Sequence, residues 1–299
     1  MRRDALRADA ILLLVAAIWG SGFVAQRAAS EHIPPLTFNA LRYLIGFALV
    51  GAALAMAGRV RCSRAEIGGG ALLAMIMTGA AWLQQAGVEH TTAARAGFFT
   101  GLYVLLVPPL GLVFGQRVAA GHVVGAAVAA WGLALLSGDL SGGLRPGDPL
   151  IIACAGLWAL HVVITGRLAP RADAMRLAAV QFAIVGLLSG TLALVLERAG
   201  PGGIGRGALP LLYSGVFSIA VAFTLQIVGQ RSAPPSHAAV LMSTEAVFAA
   251  ALAIPLLGER LGRAEAAGCA LILCGCVVSQ LWPHRRSPSE DAQLGAPAR

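Results

Sequence analysis

Ten long apolar runs separated by short joints dominate this chain, and they leave it few folds. They lie at about 10–29, 35–57, 66–87, 93–114, 119–137, 149–168, 174–196, 208–229, 236–257 and 264–282. Each is long enough to cross a hydrocarbon core of about 30 Å as a helix. There the backbone has to satisfy its own hydrogen bonds, so only helices or closed barrels can span it. A barrel would need roughly ten-residue segments alternating apolar and polar residues, whereas these runs are unbroken and rich in Ala, Leu, Gly and Val. Hydrophobic residues make up 58% of the chain and charged ones 12%, about half the charge of a water-soluble protein. The expected fold is an all-α integral membrane protein of ten transmembrane helices.

Joints are marked by Pro34-Pro35, the Arg59–Arg64 stretch, Arg145-Pro-Gly, Pro201-Gly-Gly and Pro234-Pro235. None exceeds about a dozen residues, which leaves no room for a soluble catalytic or nucleotide-binding domain, so any chemistry lies inside the helix bundle. The net charge is +8 and all 22 basic residues are arginine. Most stand singly or in small groups between apolar runs, with no basic face to follow a phosphate backbone, and no nucleic-acid partner is expected. Without lysine there is neither a phosphate-binding loop of the Gly-Lys-Ser/Thr type nor a Schiff base to pyridoxal or retinal.

The arginines also predict orientation. With a cytoplasmic N-terminus, Arg2, Arg3, Arg7, Arg59, Arg61, Arg64, Arg117, Arg167, Arg171, Arg176, Arg231, Arg285, Arg286 and Arg299 fall inside. Arg27, Arg95, Arg145, Arg198, Arg206, Arg260 and Arg263 fall outside, and Arg42 lies within a span. Fourteen against seven fits ten spans with both termini in the cytoplasm of an inner-membrane protein. The apolar start, behind Arg2, Arg3 and Arg7, reads as an uncleaved first helix because nine more spans follow it.

Internal similarity adds architecture. Gly115-Gln-Arg117, Gly125 and Gly132 match Gly258-Glu-Arg260, Gly268 and Gly275 at an offset of 143, while Trp19 matches Trp158 and Arg42-Tyr43 matches Gln181-Phe182 at an offset of 139. A unit of five helices is odd, so its second copy enters the membrane from the opposite side. Two inverted five-helix repeats result, an arrangement found in carriers that alternate access around a site between the halves.

Polar groups inside hydrocarbon need partners or a water-filled cavity. Helical spacing groups Trp19 with Gln26, Asn39 with Arg42 and Tyr43, Trp82 with Gln85, Phe99 with Tyr103, and Trp158 with His161, and adds Glu245 at mid-depth. Together these would line a pocket of aromatic and amide character suited to a zwitterionic or amphipathic solute. Each has a plainer reading: Glu245 paired with Arg42 or a hydroxyl, His161 as a packing histidine, Arg42 snorkelling, and the tryptophans as packing or interfacial residues. Glu245 and His161 are the groups that would couple transport to protons. The five cysteines read as small hydrophobes. No His-Glu-x-x-His or Gly-x-Gly-Asp motif occurs, so neither enzyme activity, metal nor cofactor is expected.

As a set, several motifs resemble the drug/metabolite transporter superfamily in its EamA-like branch. They are Trp19-Gly-Ser-Gly-Phe23, Leu41-Arg-Tyr43, Gln84-Gln-Ala-Gly-Val88, Thr92-Ala-Ala-Arg-Ala-Gly-Phe-Phe-Thr-Gly-Leu-Tyr103 and Pro108, then Trp158-Ala-Leu-His161, Phe223-Thr-Leu-Gln226, Gln230-Arg231 and Leu257-Gly-Glu-Arg260. The resemblance covers nearly the whole chain. It implies one EamA-like repeat over 1–143, a second over 144–284, a cytoplasmic tail over 285–299, and a central cavity. It also implies export of amino acids or related metabolites by a monomer or homodimer. A membrane receptor or complex subunit, or a flippase for lipid-linked substrates, is the alternative. One departure stands out: the family's Glu-Pro in the ninth helix reads Glu245-Ala246 here, which predicts a locally straighter helix.

Overall fold

The computed structural model describes residues 2–116, 118–136, 143–198, 200–257 and 262–282, and every regular element among them is helical. Arg117, the Gly258–Arg260 half of the loop repeat and the 285–299 tail lie outside the described residues. The helices are α1 (Arg2–Ser30), α2 (Pro35–Met56), α3 (Arg64–Glu89), α4 (Ala93–Gly101), α5 (Tyr103–Val113), α6 (Ala120–Leu136), α7 (Asp148–Leu168) and α8 (Ala174–Leu196). They continue with α9 (Pro201–Arg206), α10 (Ala208–Tyr213), a π-helical stretch (Ser214–Phe223), α11 (Thr224–Gly229), α12 (Pro235–Met242), α13 (Glu245–Leu257) and α14 (Arg263–Leu281).

Seven helical stretches among the described residues are long and apolar enough to cross a membrane, from Arg3–Ser30 to Ala208–Gly229, and Ala120–Leu136 and Ala266–Leu281 are shorter apolar helices. Leu187, Leu194, Val195 and Trp131 stand largely exposed. Side chains of this kind on the outer surface are what lipid requires and water penalises.

The most extensive packing joins α6 to α14 and α2 to α8. Glycine makes the first contact possible. A Cβ on Gly132 would lie 2.6 Å from Gly268 O, and one on Gly125 would lie 2.6 Å from Gly275 O; the reverse contacts have the same length. Without a hydrophobic force between helices in lipid, such close backbone approach is the main source of association. Elsewhere α3 packs on α7 and α8, α1 on α13, α11 and the π stretch, α2 on the π stretch, and α7 on α4 and α5.

Two runs expected to be single helices are interrupted. Between α4 and α5 the amides of Leu102 and Leu105 reach carbonyls only three residues back (3.3 and 3.0 Å). Pro108 then removes a donor from the ladder that follows. The second interruption overturns the straight ninth helix expected from Glu245-Ala246, because α12 ends before Ser243-Thr244 and α13 starts at Glu245. Ser243 Oγ donates to Val240 O (2.7 Å) and Thr244 Oγ1 to Leu241 O (2.6 Å). The amides of Thr244 and Ala246 take carbonyls three residues back (3.2 and 3.3 Å). Hydroxyls that bond their own helix bend it without any proline.

The ends are tied by carboxylates. Glu66 closes a capping box with Ser63 at the start of α3 and accepts Asp173 N (3.1 Å), while Asp173 caps α8 and pairs with Arg59. Glu197, just past α8, accepts Leu36 N (2.7 Å), Thr37 N (2.8 Å) and Thr37 Oγ1 (2.9 Å) at the start of α2. Replacing Glu197 with Ala strips three donors at a helix N-terminus of their acceptor. It should cost about 1–2 kcal/mol, read as a lowered unfolding temperature in detergent.

Candidate functional site

The interrupted helices and the π stretch meet at one crevice. Helix breaks free backbone groups and shift side-chain phase, so discontinuous helices are where membrane carriers place polar sites. α1 supplies Trp19, Phe23 and Gln26, spaced four and three residues apart on one face. The α4–α5 break supplies Thr100 and Tyr103, the α12–α13 break Met242 and Glu245, and the π stretch Ser218, Ile219 and Phe223. Arg42 and Tyr43 enter from α2, Gln84 from α3, Trp158 and Val162 from α7, and Gln226 from α11.

Aromatic rings form one wall. Phe223 is its hub, with centroids 4.7 Å from Trp19, 5.6 Å from Trp158 in a stacked arrangement, and 6.5 Å from Tyr43. Both indole N–H groups are fixed, Trp19 Nε1 donating to Ser218 O (3.2 Å) and Trp158 Nε1 to Gln84 Oε1 (2.8 Å). A tryptophan whose N–H is satisfied presents a rigid apolar face at little entropic cost.

The polar wall is different. Gln26 Oε1, Arg42 Nε, Tyr43 OH, Thr100 Oγ1, Tyr103 OH, Ser218 Oγ, Gln226 Oε1 and Glu245 Oε1 are buried and have no hydrogen-bond partner among the described residues. All eight belong to residues lining this crevice. Arg42 has a guanidinium stacked on Phe38 and Tyr43 (5.0 and 5.2 Å), and neither it nor Glu245 forms an ion pair among the described residues. Most buried polar groups in folded proteins are paired, and an isolated buried charge is the costliest exception. Eight in one crevice, with a guanidinium and a carboxyl group among them, make its polar wall an exception to that rule.

Of the twelve residues singled out from the sequence, Trp19, Gln26, Arg42, Tyr43, Tyr103, Trp158 and Glu245 line this crevice. The other five lie elsewhere. His161 packs edge-on against Trp158 and Phe223, its Nε2 2.9 Å from Gln181 Oε1. Gln85 is fully buried and donates to Gln26 O (3.1 Å). Asn39 is fully buried on α2, its amide without a partner. Phe99 packs on Phe98 and beneath Arg95. Trp82 is 44% exposed on the outer surface of α3. Thr100 and Gln226 stood within the quoted motifs without being singled out, and Ser218 escaped sequence reasoning, because a single hydroxyl in an apolar run carries no periodic signal.

The family model of the EamA-like transporter family matches residues 6–138 and 145–280. A protein of Archaeoglobus fulgidus named as an uncharacterized transporter is 30% identical over 277 residues, covering 92% of this chain and 86% of its own length. A solved crystal structure superimposes with a TM-score of 0.77 at 24% identity, covering 92% of this chain and 96% of that one. At that identity the likeness is one of fold.

Proposed function

Because the chain belongs to the EamA-like transporter family of the drug/metabolite transporter superfamily, we propose that it is a secondary carrier exporting amino acids or related amphipathic zwitterions across the inner membrane. The protein is a multi-pass membrane protein and its family consists of transporters. The observation that carries the finer reading is the crevice itself, where an unpaired guanidinium and an unpaired carboxylate face an aromatic wall. An α-amino acid offers a carboxylate to Arg42, an ammonium to Glu245 and a side chain to Trp19, Trp158 and Phe223. A passive receptor subunit has no need to bury eight polar atoms without partners.

The same reading takes the ten spans as two inverted repeats, 1–143 and 144–284, with both termini cytoplasmic. Packing supports it. Exchange of the halves turns α3 on α7 into the π stretch and α11 on α1, turns α13 on α1 into α4 and α5 on α7, and leaves α2–α8 and α6–α14 as self-matching pairs. The two interruptions also correspond, at Leu102 and at Ser243-Thr244.

Purified protein in liposomes loaded with radiolabelled amino acids should give counterflow that unlabelled zwitterions inhibit. Their N-acetyl and methyl-ester forms should compete at least about a hundredfold more weakly, since each leaves a buried charge unmet. Equal competition by the blocked forms would remove the zwitterion reading, and no movement of any solute by folded protein would remove the carrier.

A further inference from the structure

At each end of α1 a carboxylate bonds the start of another helix, and the two arrangements correspond under the 139-residue repeat. Asp148 is fully buried at the first residue of α7. It accepts Thr91 Oγ1 (2.6 Å), Arg145 N (2.7 Å) and Arg95 Nε (3.1 Å), and Arg95, the third residue of α4, forms an ion pair with it. Asp9 stands 139 residues earlier on α1. It accepts His237 Nε2 (Oδ1, 3.0 Å) and Gln280 Nε2 (Oδ2, 2.7 Å), and His237 is the third residue of α12. Asp9 lies near the start of α1, while Arg27, near its end, reaches Glu89 O beside the Arg95 cluster (3.4 Å). Eighteen residues of helix separate them by about 27 Å, the thickness of a hydrocarbon core. The crevice lies between.

The two closures differ in one respect. Arg95 carries its charge at every physiological pH, whereas an imidazole gains or loses a proton within that range. We propose that His237, held between Asp9 and Ser279, is the proton-binding site of the carrier, and that its protonation keeps the cytoplasmic end of the pathway shut. This rests on the carrier reading above. Asp9 thus holds His237 through Oδ1 and Gln280 through Oδ2. His237 Nδ1 lies 2.9 Å from Ser279 Oγ. With the proton bound, Nε2–H donates to Asp9 and Nδ1–H to Ser279. When the Nδ1 proton leaves, the serine hydroxyl turns to donate to Nδ1, and the Asp9 bond survives without its ionic part. Both states keep each ring nitrogen of His237 hydrogen-bonded, and only the protonated one has an ion pair tying α12 to α1.

The groups around His237 come from α1, α6, α14 and α7. From α1 there is Asp9. From α6 the His122 ring stands 5.7 Å away centroid to centroid. α14 contributes Ser279 and Gln280, while its Cys276 is turned to Val240 O. Arg167, the basic residue in the last turn of α7, is turned to the Phe114 ring at the end of α5.

The test is labelling of Met242→Cys, in a chain whose five cysteines are replaced by alanine, from the cytoplasmic side of inverted vesicles. The reagent is a membrane-impermeant maleimide, and rates are divided by those of denatured protein at the same pH. Labelling should rise about tenfold from pH 5.5 to 8.5 as the ion pair is lost. His237→Arg should make it low and flat, and His237→Gln high and flat. Arg95→His should transfer the pH dependence to labelling from the opposite side in right-side-out vesicles. A wild-type rise that persists in His237→Gln or His237→Arg overturns the proposal. Should the cysteine-free chain not fold, hydrogen exchange of the unaltered protein in nanodiscs, compared at equal intrinsic rate, reads the same opening at the start of α12, and equal protection at both pH values overturns it. Pathway opening is measured without any solute, so failed transport with intact pH-dependent labelling removes the carrier reading alone.

Discussion

Glu245→Gln should abolish counterflow, by at least about a hundredfold, while the protein keeps its fold and melts no lower than the wild type. The carboxylate lies at the first residue of α13, buried, with Oε1 unpartnered. Removing a charge that nothing in the protein meets relieves a desolvation cost, so stability should hold or rise. The same change deprives the solute's ammonium of its only anionic partner in the crevice, a loss worth about 3 kcal/mol or more when the other charge stays buried. Melting in detergent and counterflow in liposomes separate the two effects. Full transport by Glu245→Gln would remove this residue from solute binding, and a collapse of melting temperature would make its role structural.

The second large effect lies far from the crevice. Gly132→Val in α6 would drive a Cβ to 2.6 Å from Gly268 O and 2.8 Å from Ile272 N, both backbone atoms of α14. Neither can move without moving the helix, and overpacking of this kind costs about 3 kcal/mol or more. Folded, monodisperse protein should largely vanish from size-exclusion profiles. Gly156→Ala is the matched control, since a Cβ there meets nothing within 4 Å, and it should change stability by less than about 1 kcal/mol.

The helical, membrane-crossing character of this chain was legible because the solvent dictates it: apolar runs of this length can only satisfy their backbones internally. The faces were harder. Spacing tells which residues share a face but not where that face points. Gln84 and Gln85 differ by one position, yet only Gln84 meets the crevice while Gln85 serves α1. Trp82 sits three residues from Gln85 and looks outward. The π stretch was not read from the sequence, since Pro210 and Gly215 stand near its start as single residues like others in this chain, and it delivers Ser218, Ile219 and Phe223 together. At Ser243-Thr244 the error had a definite cause. A missing proline was taken as a missing bend, but two hydroxyls compete for helical carbonyls just as effectively.

Where α6 and α14 meet, carbonyl oxygens of one helix lie within reach of the other's Cα atoms at Gly125, Gly132, Gly268 and Gly275. No acyl chain is thin enough to enter such a seam, because a methylene group needs the space that the missing side chains have given up. This flank is therefore caulked against the bilayer over seven residues' length. Cargo tethered to a lipid tail would have no doorway here, whereas a solute travelling end to end would never meet the obstacle.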